Sequence, residues 1–594
     1  MSDPRLYRAA LIPVLFALVL LAFSLENRPR PLTTTLAPEA FATDRAFDRA
    51  FAPGTGLAAR FAERRPGSAG DERLAEQVEA QFRRAGGFQV RTTVHEGETI
   101  DGRRALRTVI AERQGTIDER IVVVAHRDAA GPRAEAELSA TAVLLELARV
   151  FGAPFGTKRT LTLVSTSGGS GGAAGAAALA DDVRGPFAGV LVLGDLTSRR
   201  ARGPLLAPWS NHLGSTPQRL RRTLEEALRQ ETATPPRQPR VLSQFARFAL
   251  PATFGEQGVL LARGLPAVAL SIGGDRPPSA GAAISRERLG TLGRVALRTV
   301  TALDGAPRGR PASPEASSRD LVTRRKVVPG WALRLFTGAL LLAPLIVAVD
   351  ALAAVRRARE PLLMWLRWTL LSALPLVVAA LFAIALGAVG LLSAAPRAPT
   401  SPQALPAQAP ALLAVALVLV LGWVWLRPAL LRITASDGDP AAPAAGVAVL
   451  LVAVLAAIVV WAFNPYAAAM LLPALHIWLF ALASELRMRR AVRVGLAALG
   501  VVPVLLVAAV VARALGLGPL DGAWEALLLV AGGHVSVMSL LLWSLLGGCA
   551  AGGILIAVRG GTPDAGPNQP ITVRGPRSYA GPGSLGGTDS ALRR

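Results

Sequence analysis

The chain holds one cysteine, Cys549, two lysines, Lys158 and Lys326, and five histidines among 594 residues. A single cysteine excludes an intrachain disulfide, and its place in an apolar run gives it a packing role. Because lysine is so scarce, the excess of 64 basic over 41 acidic residues is almost entirely arginine, a usage expected of a GC-rich bacterial genome. Basic stretches interleaved with aromatics are missing, which argues against nucleic acid as a partner. The arginines recur instead beside apolar segments, where the positive-inside bias and anionic lipid headgroups account for them. Apolar residues make up 52% of the chain and the mean hydropathy is +0.41. That much apolar surface cannot all be hidden inside water-soluble cores, so the lipid bilayer is the expected partner.

The apolar material falls into two blocks. Ala9 to Leu25 follows Arg5 and Arg8 and lacks a small-x-small cleavage site, so residues 1–27 are expected to form an uncleaved transmembrane anchor. Beyond residue 331, long apolar runs approach the ~20 residues a helix needs to cross ~30 Å of hydrocarbon. Spans are expected near 331–354, 366–392, 409–426, 444–463, 466–485, 492–514 and 535–558, an all-α bundle of about seven helices over 331–558. Residues 523–534 form either a short interfacial helix or part of an eighth span in this bundle. The Gly/Pro-rich tail 559–594 is expected to be disordered.

Loop charge sets the expected orientation. With a cytoplasmic N-terminus, Arg356, Arg357 and Arg359, then Arg427 and Arg432, then Arg487, Arg489, Arg490 and Arg493 all fall inside, against Arg397 and Arg513 outside. The intervening α/β domain is then extracytoplasmic and the C-terminal tail cytoplasmic. Arg324, Arg325 and Lys326 break the pattern by falling outside, just ahead of the second span.

Between the blocks, residues 40–305 read as a soluble α/β domain. FQVRTTVHE, RTVIAERQG, RIVVVAHRD, RTLTLVSTS, GVLVLGDLT and PAVALSIGG read as strands. The unbroken apolar character of RIVVVA and GVLVLG marks strands covered on both faces. ELSATAVLLELARVF, TPQRLRRTLEEALRQ and SRERLGTLGRVALRTVTAL carry helical spacing, and a Pro/Ser/Arg-rich linker, 306–330, closes the domain.

Chemistry concentrates where one strand ends in His126 and Asp128 and the next opens into SGGSGG. A histidine at a strand's C-terminal edge suits a metal, with a carboxylate two residues on to orient its ring. In order along the chain, RRPGSAGDERLAEQVEAQFRRAGG, AHRD, ATAVLLELARVF, GVLVLGDLT and GLPAVALSIGGDRPP with SRERLGTLGRVAL resemble the family-28 zinc aminopeptidases, di-zinc exopeptidases with a mixed central sheet flanked by helices. The likeness covers roughly residues 55–305. It implies a zinc-exopeptidase-like fold, with His126 and Asp195 as metal ligands and Asp128 behind the histidine.

Other positions depart from that pattern. The family's bridging aspartate falls at about Ala136, flanked by Glu135 and Glu137, either of which reaches in only if the loop shifts. Its adjacent Glu-Glu pair, one the base and one a ligand, falls on Gly169 and Ser170. Its final histidine belongs in SIGGDRPPS, which has none. A two-zinc hydrolytic site needs donors around both ions and a carboxylate to activate water, and glycine supplies neither. The expectation is a pseudopeptidase without cofactor, whose old cleft binds a peptide, a lipid-linked molecule or a partner protein. The alternative is a membrane-bound zinc aminopeptidase with a rearranged site, which His126, Asp195, Glu135 and Glu137 would have to build.

A third reading takes Gly168, Ser170 and Gly172 as a G-x-S-x-G nucleophile elbow, with Asp195 and His212 following in triad order. Glycine-rich composition alone satisfies that spacing. Among apolar segments, Asp350, His476 and His534 are the ionisable residues, of which His476 lies deepest. The overall plan is also similar to membrane aminopeptidases of the endoplasmic reticulum and to the attachment subunit of the GPI transamidase, whose peptidase-like domain serves recognition and assembly.

Overall fold

A computed structural model describes residues 4–34, 40–132, 134–154, 156–199, 205–232, 239–275, 281–307, 317–392, 404–436, 438–440, 442–483 and 488–559. The tail beyond 559, residues 308–316 of the linker, and residues 276–280 of the segment expected to carry a final histidine lie outside these, as do Arg397 and Arg487. In chain order, helices Pro4–Ala10 (α1) and Ile12–Phe23 (α2) lead to strand Glu26–Asn27 (β1). Helices Thr43–Phe51 (α3), Leu57–Arg60 (α4) and Ala69–Ala85 (α5) precede strands Gln89–Thr99 (β2), Gly102–Arg113 (β3) and Ile117–His126 (β4). Leu138–Gly152 (α6), Arg159–Thr166 (β5), Ala174–Asp182 (α7), Phe187–Leu193 (β6) and Leu206–Ala207 (β7) follow, then helices Gln218–Thr232 (α8), Val241–Ala249 (α9) and Glu256–Ala262 (α10). Ala267–Leu270 (β8), Arg286–Asp304 (α11), Leu321–Val322 (β9) and Lys326–Val328 (β10) complete this part.

The main sheet has the order β2-β3-β5-β4-β6-β8-β7. Its centre, β5-β4-β6-β8, is parallel, and antiparallel strands close both edges. Val122, Val123, Val124 and Ala125 of β4 and Val190 to Leu193 of β6 are buried on both faces, as their apolar runs require. One face packs on α5, α6, α8 and α11 through Leu74, Phe82, Leu144, Leu224 and Val295. The other packs on α7 and α10 through Ala176, Leu179, Leu260 and Leu261. This is the mixed α/β sheet with flanking helices that the sequence predicts, and its six long strands fall on the six motifs read there.

The remaining helices are Gly330–Arg357 (α12), Leu362–Ala388 (α13), Ala404–Leu421 (α14), Arg427–Ile433 (α15), Pro443–Phe463 (α16), Pro465–Ala481 (α17), Arg490–Leu499 (α18), Val502–Leu515 (α19), Pro519–Ala531 (α20) and Val537–Arg559 (α21). Among the described residues seven helical segments are long and apolar enough to cross a membrane: Leu6–Phe23, Gly330–Arg357, Leu362–Ala388, Ala409–Ile433, Pro443–Phe463, Arg490–Leu515 and Val537–Arg559. The segment expected at 466–485 is the shorter α17, and residues 519–531 form their own helix ahead of α21. Small residues let the bundle's backbones approach: a Cβ on Gly548 would meet the backbone of Ala373, and one on Gly446 that of Leu482. The N-terminal helices join the bundle through α12, and Tyr7 Oη lies 2.8 Å from His476 Nδ1. Cys549 is fully buried there, consistent with a packing role.

Two joints hold the α/β domain to the bundle. At one, β1 pairs antiparallel with β10 and β10 with β9, so the chain leaving α2 is hydrogen-bonded to the chain entering α12. Arg28 then forms a 2.8 Å ion pair with Glu225 of α8. At the other, Phe248 and Ala249 of α9 bury against Tyr466, Met470, Val507 and Val511 of α17 and α19. Asn464 caps α17 by accepting from the Tyr466 and Ala467 amides, while its Nδ2 donates to Phe248 O at 2.8 Å. Tyr466 Oη donates to Arg319 O.

Candidate functional site

The parallel strands end together, and His126 closes β4 at the crevice such a sheet offers to ligands. The next residue turns inward. The Arg127 guanidinium is fully buried, 2.8 Å from Asp71 Oδ1, and donates to Ser165 O and Arg107 O. Asp71 accepts from Ser167 Oγ at 2.6 Å and from the Gly67 amide at 3.0 Å. Burial pushes its carboxyl up to about 6, with Arg127 offsetting only part of the desolvation. This pair fixes the end of β4 to the first turn of α5.

Asp128 accepts from the amides of Gly169 and Ser170, both at 3.0 Å, and so holds the glycine-rich turn against the strand end. The turn passes through positive φ at Gly168 (87°) and Gly172 (79°), conformations that favour glycine. At Gly169 the demand is one of space. A Cβ there would stand 2.5 Å from His126 Cγ and 2.9 Å from Nδ1, so the imidazole occupies the volume a side chain at 169 would need.

The His126 ring faces Glu256, which the sequence reading did not single out. Nδ1 lies 3.8 Å from Glu256 Oε2, and the two side chains are 17% and 1% exposed. Glu256 sits in the first turn of α10 and its Oε1 accepts from Thr166 Oγ1 at 2.6 Å. Burial acts to lower the imidazole's affinity for a proton, but Glu256, with Asp128 and Glu137 behind it, outweighs burial and raises it to about 9. No local pattern marks Glu256, which lies far from His126 in sequence; the only cue was an acid placed at a helix start one turn before strand PAVAL.

Of the two candidate glutamates beside Ala136, Glu137 is buried and Glu135 is exposed. Burial pushes Glu137 up to about 7 against the pull of His126 and Arg64, and Asp128 and Asp195 add to the rise. Its Oε2 is buried without a hydrogen-bond partner. Asp195 lies beyond the end of β6, where its Oδ1 accepts from the amides of Thr197 at 2.9 Å and Ser198 at 3.0 Å. Burial raises its pKa as well. His126, Asp128, Glu137 and Asp195 are thus brought within electrostatic reach of one another.

The proposed triad is not joined by hydrogen bonds among the described residues. Ser170 Oγ is buried and unpartnered, Asp195 spends Oδ1 on its own turn, and His212 is exposed on a loop where its amide bonds Ser210 Oγ at 3.1 Å. For the zinc pair that the family resemblance implies, the donors do not fit. Ala136 and Gly169 offer no donor, Asp128 is spent on two amides, and Asp195 spends Oδ1 on its own turn. Among the described residues no group of three or more His, Cys, Asp or Glu side chains converges as metal ligands.

Behind Glu256 the loop 252–257 is tied to the joint with the bundle. Asp275 accepts from Thr253 Oγ1 at 2.6 Å and Gln257 Nε2 at 2.9 Å, and pairs with buried Arg247 of α9. A line of buried polar contacts therefore runs from α9, packed on α17 and α19, to Gln257, the residue after Glu256.

No family model and no curated protein matches this chain. Solved structures do resemble it. The glutaminyl cyclase of Porphyromonas gingivalis is 16% identical, covering 44% of this chain and 99% of that one, with a TM-score of 0.32. The LapA aminopeptidase of Legionella pneumophila is 13% identical, covering 47% and 76%, with a TM-score of 0.37. BSAP, a zinc aminopeptidase from Bacillus subtilis, is 11% identical, covering 46% and 98%, with a TM-score of 0.31. Each is a likeness of fold.

Proposed function

We propose that this chain is a multi-pass membrane protein whose α/β domain works in binding or assembly, and not as a di-zinc hydrolase. The observation that carries this reading is the imidazole of His126 lying in the volume of any side chain at 169 and pairing with Glu256. A catalytic carboxylate at 169 would require that ring to move. Asp128 and Asp195 are likewise engaged by backbone amides, while Glu137 Oε2 and Glu256 Oε2 are buried without a hydrogen-bond partner. Asp128, Glu137, Asp195 and Glu256 outnumber His126 and Arg64, so the crevice favours a ligand presenting a cationic group such as an amine, whether on a peptide, a lipid-linked molecule or a partner protein.

The expected orientation agrees with the helix ends. α12 starts, α17 starts and α19 finishes beside the domain, so Arg356, Arg357, Arg490 and Arg493 stand at the far ends of these helical paths. By the positive-inside bias those ends are cytoplasmic and the domain extracytoplasmic. The test is elemental analysis of the detergent-solubilised full chain after zinc loading and desalting, beside a His126→Ala, Asp195→Ala variant. The proposal expects no tightly held zinc in either protein. Near-stoichiometric zinc that the variant loses would overturn it in favour of a membrane-bound zinc aminopeptidase.

A further inference from the structure

The basic triplet Arg324, Arg325 and Lys326 contradicts the charge bias followed by the other loops, and the fold gives it a setting. It lies in the turn of the β9–β10 hairpin. Thr323 closes that turn, its amide donating to Lys326 O at 2.8 Å and its Oγ1 accepting from the Lys326 amide at 3.0 Å. All three side chains are exposed, and among the described residues none of the three forms an ion pair with a carboxylate. The hairpin's second strand ends at Val328, and α12, one of the helical segments long and apolar enough to cross a membrane, begins at Gly330. The turn is therefore held within a few residues of a predicted membrane boundary.

Helix α9 stands beside it. Gln244 bonds both backbone groups of Val322, Nε2 donating to O at 2.6 Å and Oε1 accepting from N at 3.0 Å. One turn earlier, Val241 on the flank of Gln244 is 47% exposed and Leu242 on the flank of Phe245, which packs on Tyr466, is 61% exposed; Arg240 ahead of them is exposed too. The C-terminal half of α9 packs against Tyr466, near the start of α17, and the helix as a whole contacts α19, whose final turns carry Val511 and Leu515. Those are residues at the ends of apolar helices, so α9 lies at the level where such helices leave the hydrocarbon. Two aliphatic side chains beside four exposed cations at that level match the two-part chemistry of an interfacial anchor: apolar groups entering the acyl boundary, cations on the headgroup phosphates.

The geometry points to a phospholipid-binding surface formed by the start of α9 and the β9–β10 turn, with Val241 and Leu242 entering the leaflet and Arg240, Arg324, Arg325 and Lys326 holding anionic headgroups. This rests on the reading of the bundle as membrane-embedded. It also explains why a cationic cluster stands on the side where loop charge is otherwise sparse: here it binds lipid and does not set topology. The surface adds a third attachment of the domain to the membrane, beside the strand-paired neck and the α9 seam.

The test uses the full chain in lipid nanodiscs with a bimane fluorophore on Leu242→Cys; native Cys549 is fully buried and does not compete for label. The discs contain phosphatidylcholine and a minority of phosphatidylglycerol, with bromine quencher carried on one lipid or the other. The local ratio of phosphatidylglycerol to phosphatidylcholine at position 242, read from the two quenchers, should exceed the bulk ratio by roughly fivefold for each cation engaged. In R324Q/R325Q/K326Q, which leaves Arg240 alone, that excess should fall to no more than roughly fivefold, while quenching by brominated phosphatidylcholine persists, since glutamines on an exposed turn leave the fold intact. Equal quenching in proportion to mole fraction before and after the substitutions overturns the headgroup assignment. Loss of the excess on adding inorganic phosphate, but not chloride of matched ionic strength, assigns the cations to free phosphate and overturns it too. A label on Leu505→Cys, exposed near the middle of the Arg490–Leu515 segment, separates the two levels of inference. If it is quenched and 242 is not, only this proposal fails; if neither is quenched, the bundle is not in lipid.

Discussion

The ion pair of His126 and Glu256 should make the domain's stability fall as pH rises from about 6.5 to about 9. The imidazole's folded pKa of about 9 stands above its ordinary 6.5 because Glu256 outweighs the cost of burial. The folded state therefore binds the proton more tightly than the unfolded chain does. That stabilisation is fully present below pH 6.5 and is lost as pH climbs through 9. At 1.36 kcal/mol per pH unit the difference amounts to ~3 kcal/mol. Glu137, raised to about 7, gives a slope of the same sign over a lower window, from about 4.5 to 7. Glu256→Gln keeps an acceptor for Thr166 but removes the charge, so it should flatten the upper window and leave the lower one. Urea unfolding of the α/β domain in the detergent-solubilised full chain, read by pulse proteolysis at steps from pH 5 to 9.5, measures both. With m-values of about 1–3 kcal/mol per molar urea, the wild-type midpoint should drop by on the order of 1 M between pH 6.5 and 9. A flat wild-type profile, or an equal slope in Glu256→Gln, would refute the pairing.

Gly169→Ala should cost about 1–3 kcal/mol by overpacking against the His126 ring; loss of the alkaline slope in this variant, read by the same titration, would show that the ring has moved. Gly169→Glu should bring no aminopeptidase activity on amino-acid arylamides, because the restored carboxylate enters a volume already filled. Arg127→Met leaves Asp71 charged and buried and should destabilise the domain by about 3–5 kcal/mol at pH 8. That loss should shrink at pH 5, where Asp71, raised to about 6, takes up a proton. Asn464→Ala removes the cap of α17 and its bond to Phe248 O together. It should cost about 1–2 kcal/mol and raise hydrogen exchange in α9 before the sheet is affected.

Much of the sheet was legible because its strands are long and their burial is written in composition. RIVVVA and GVLVLG are apolar without alternation, and β4 and β6 are indeed flanked by strands on both sides. Asp128 was anticipated as a partner to the strand end, though it grips the glycine turn and the neighbouring imidazole bonds elsewhere. What escaped was set by distance in sequence. β1 is two residues long, too short for any periodicity, and its partner β10 lies some 300 residues on. Glu256 meets His126 only because β8 and β4 flank β6, which brings the start of α10 to the same sheet end. The choice between Glu135 and Glu137 depended on the phase of a single 3-10 turn, which sequence spacing does not fix. The bundle's span count differed for a similar reason: α17 is apolar throughout but stops at Ala481.

The neck has a geometric meaning of its own. A domain on a flexible tether sweeps a volume, and its binding site meets targets at many heights above the bilayer. Here strand pairing, the Arg28–Glu225 bridge and the α9 seam remove that freedom. Glu256 follows Ala249, at the seam, by only seven steps along the chain, so the crevice lies no more than about 25 Å from the top of the bundle even with that chain fully extended. On the proposed reading of the crevice as a binding site, the domain would act as a fixed gauge: a group carried on a membrane-anchored molecule would reach the crevice only if its stalk had the matching length. Reach from the membrane, as much as chemistry, would then decide which molecules this protein holds.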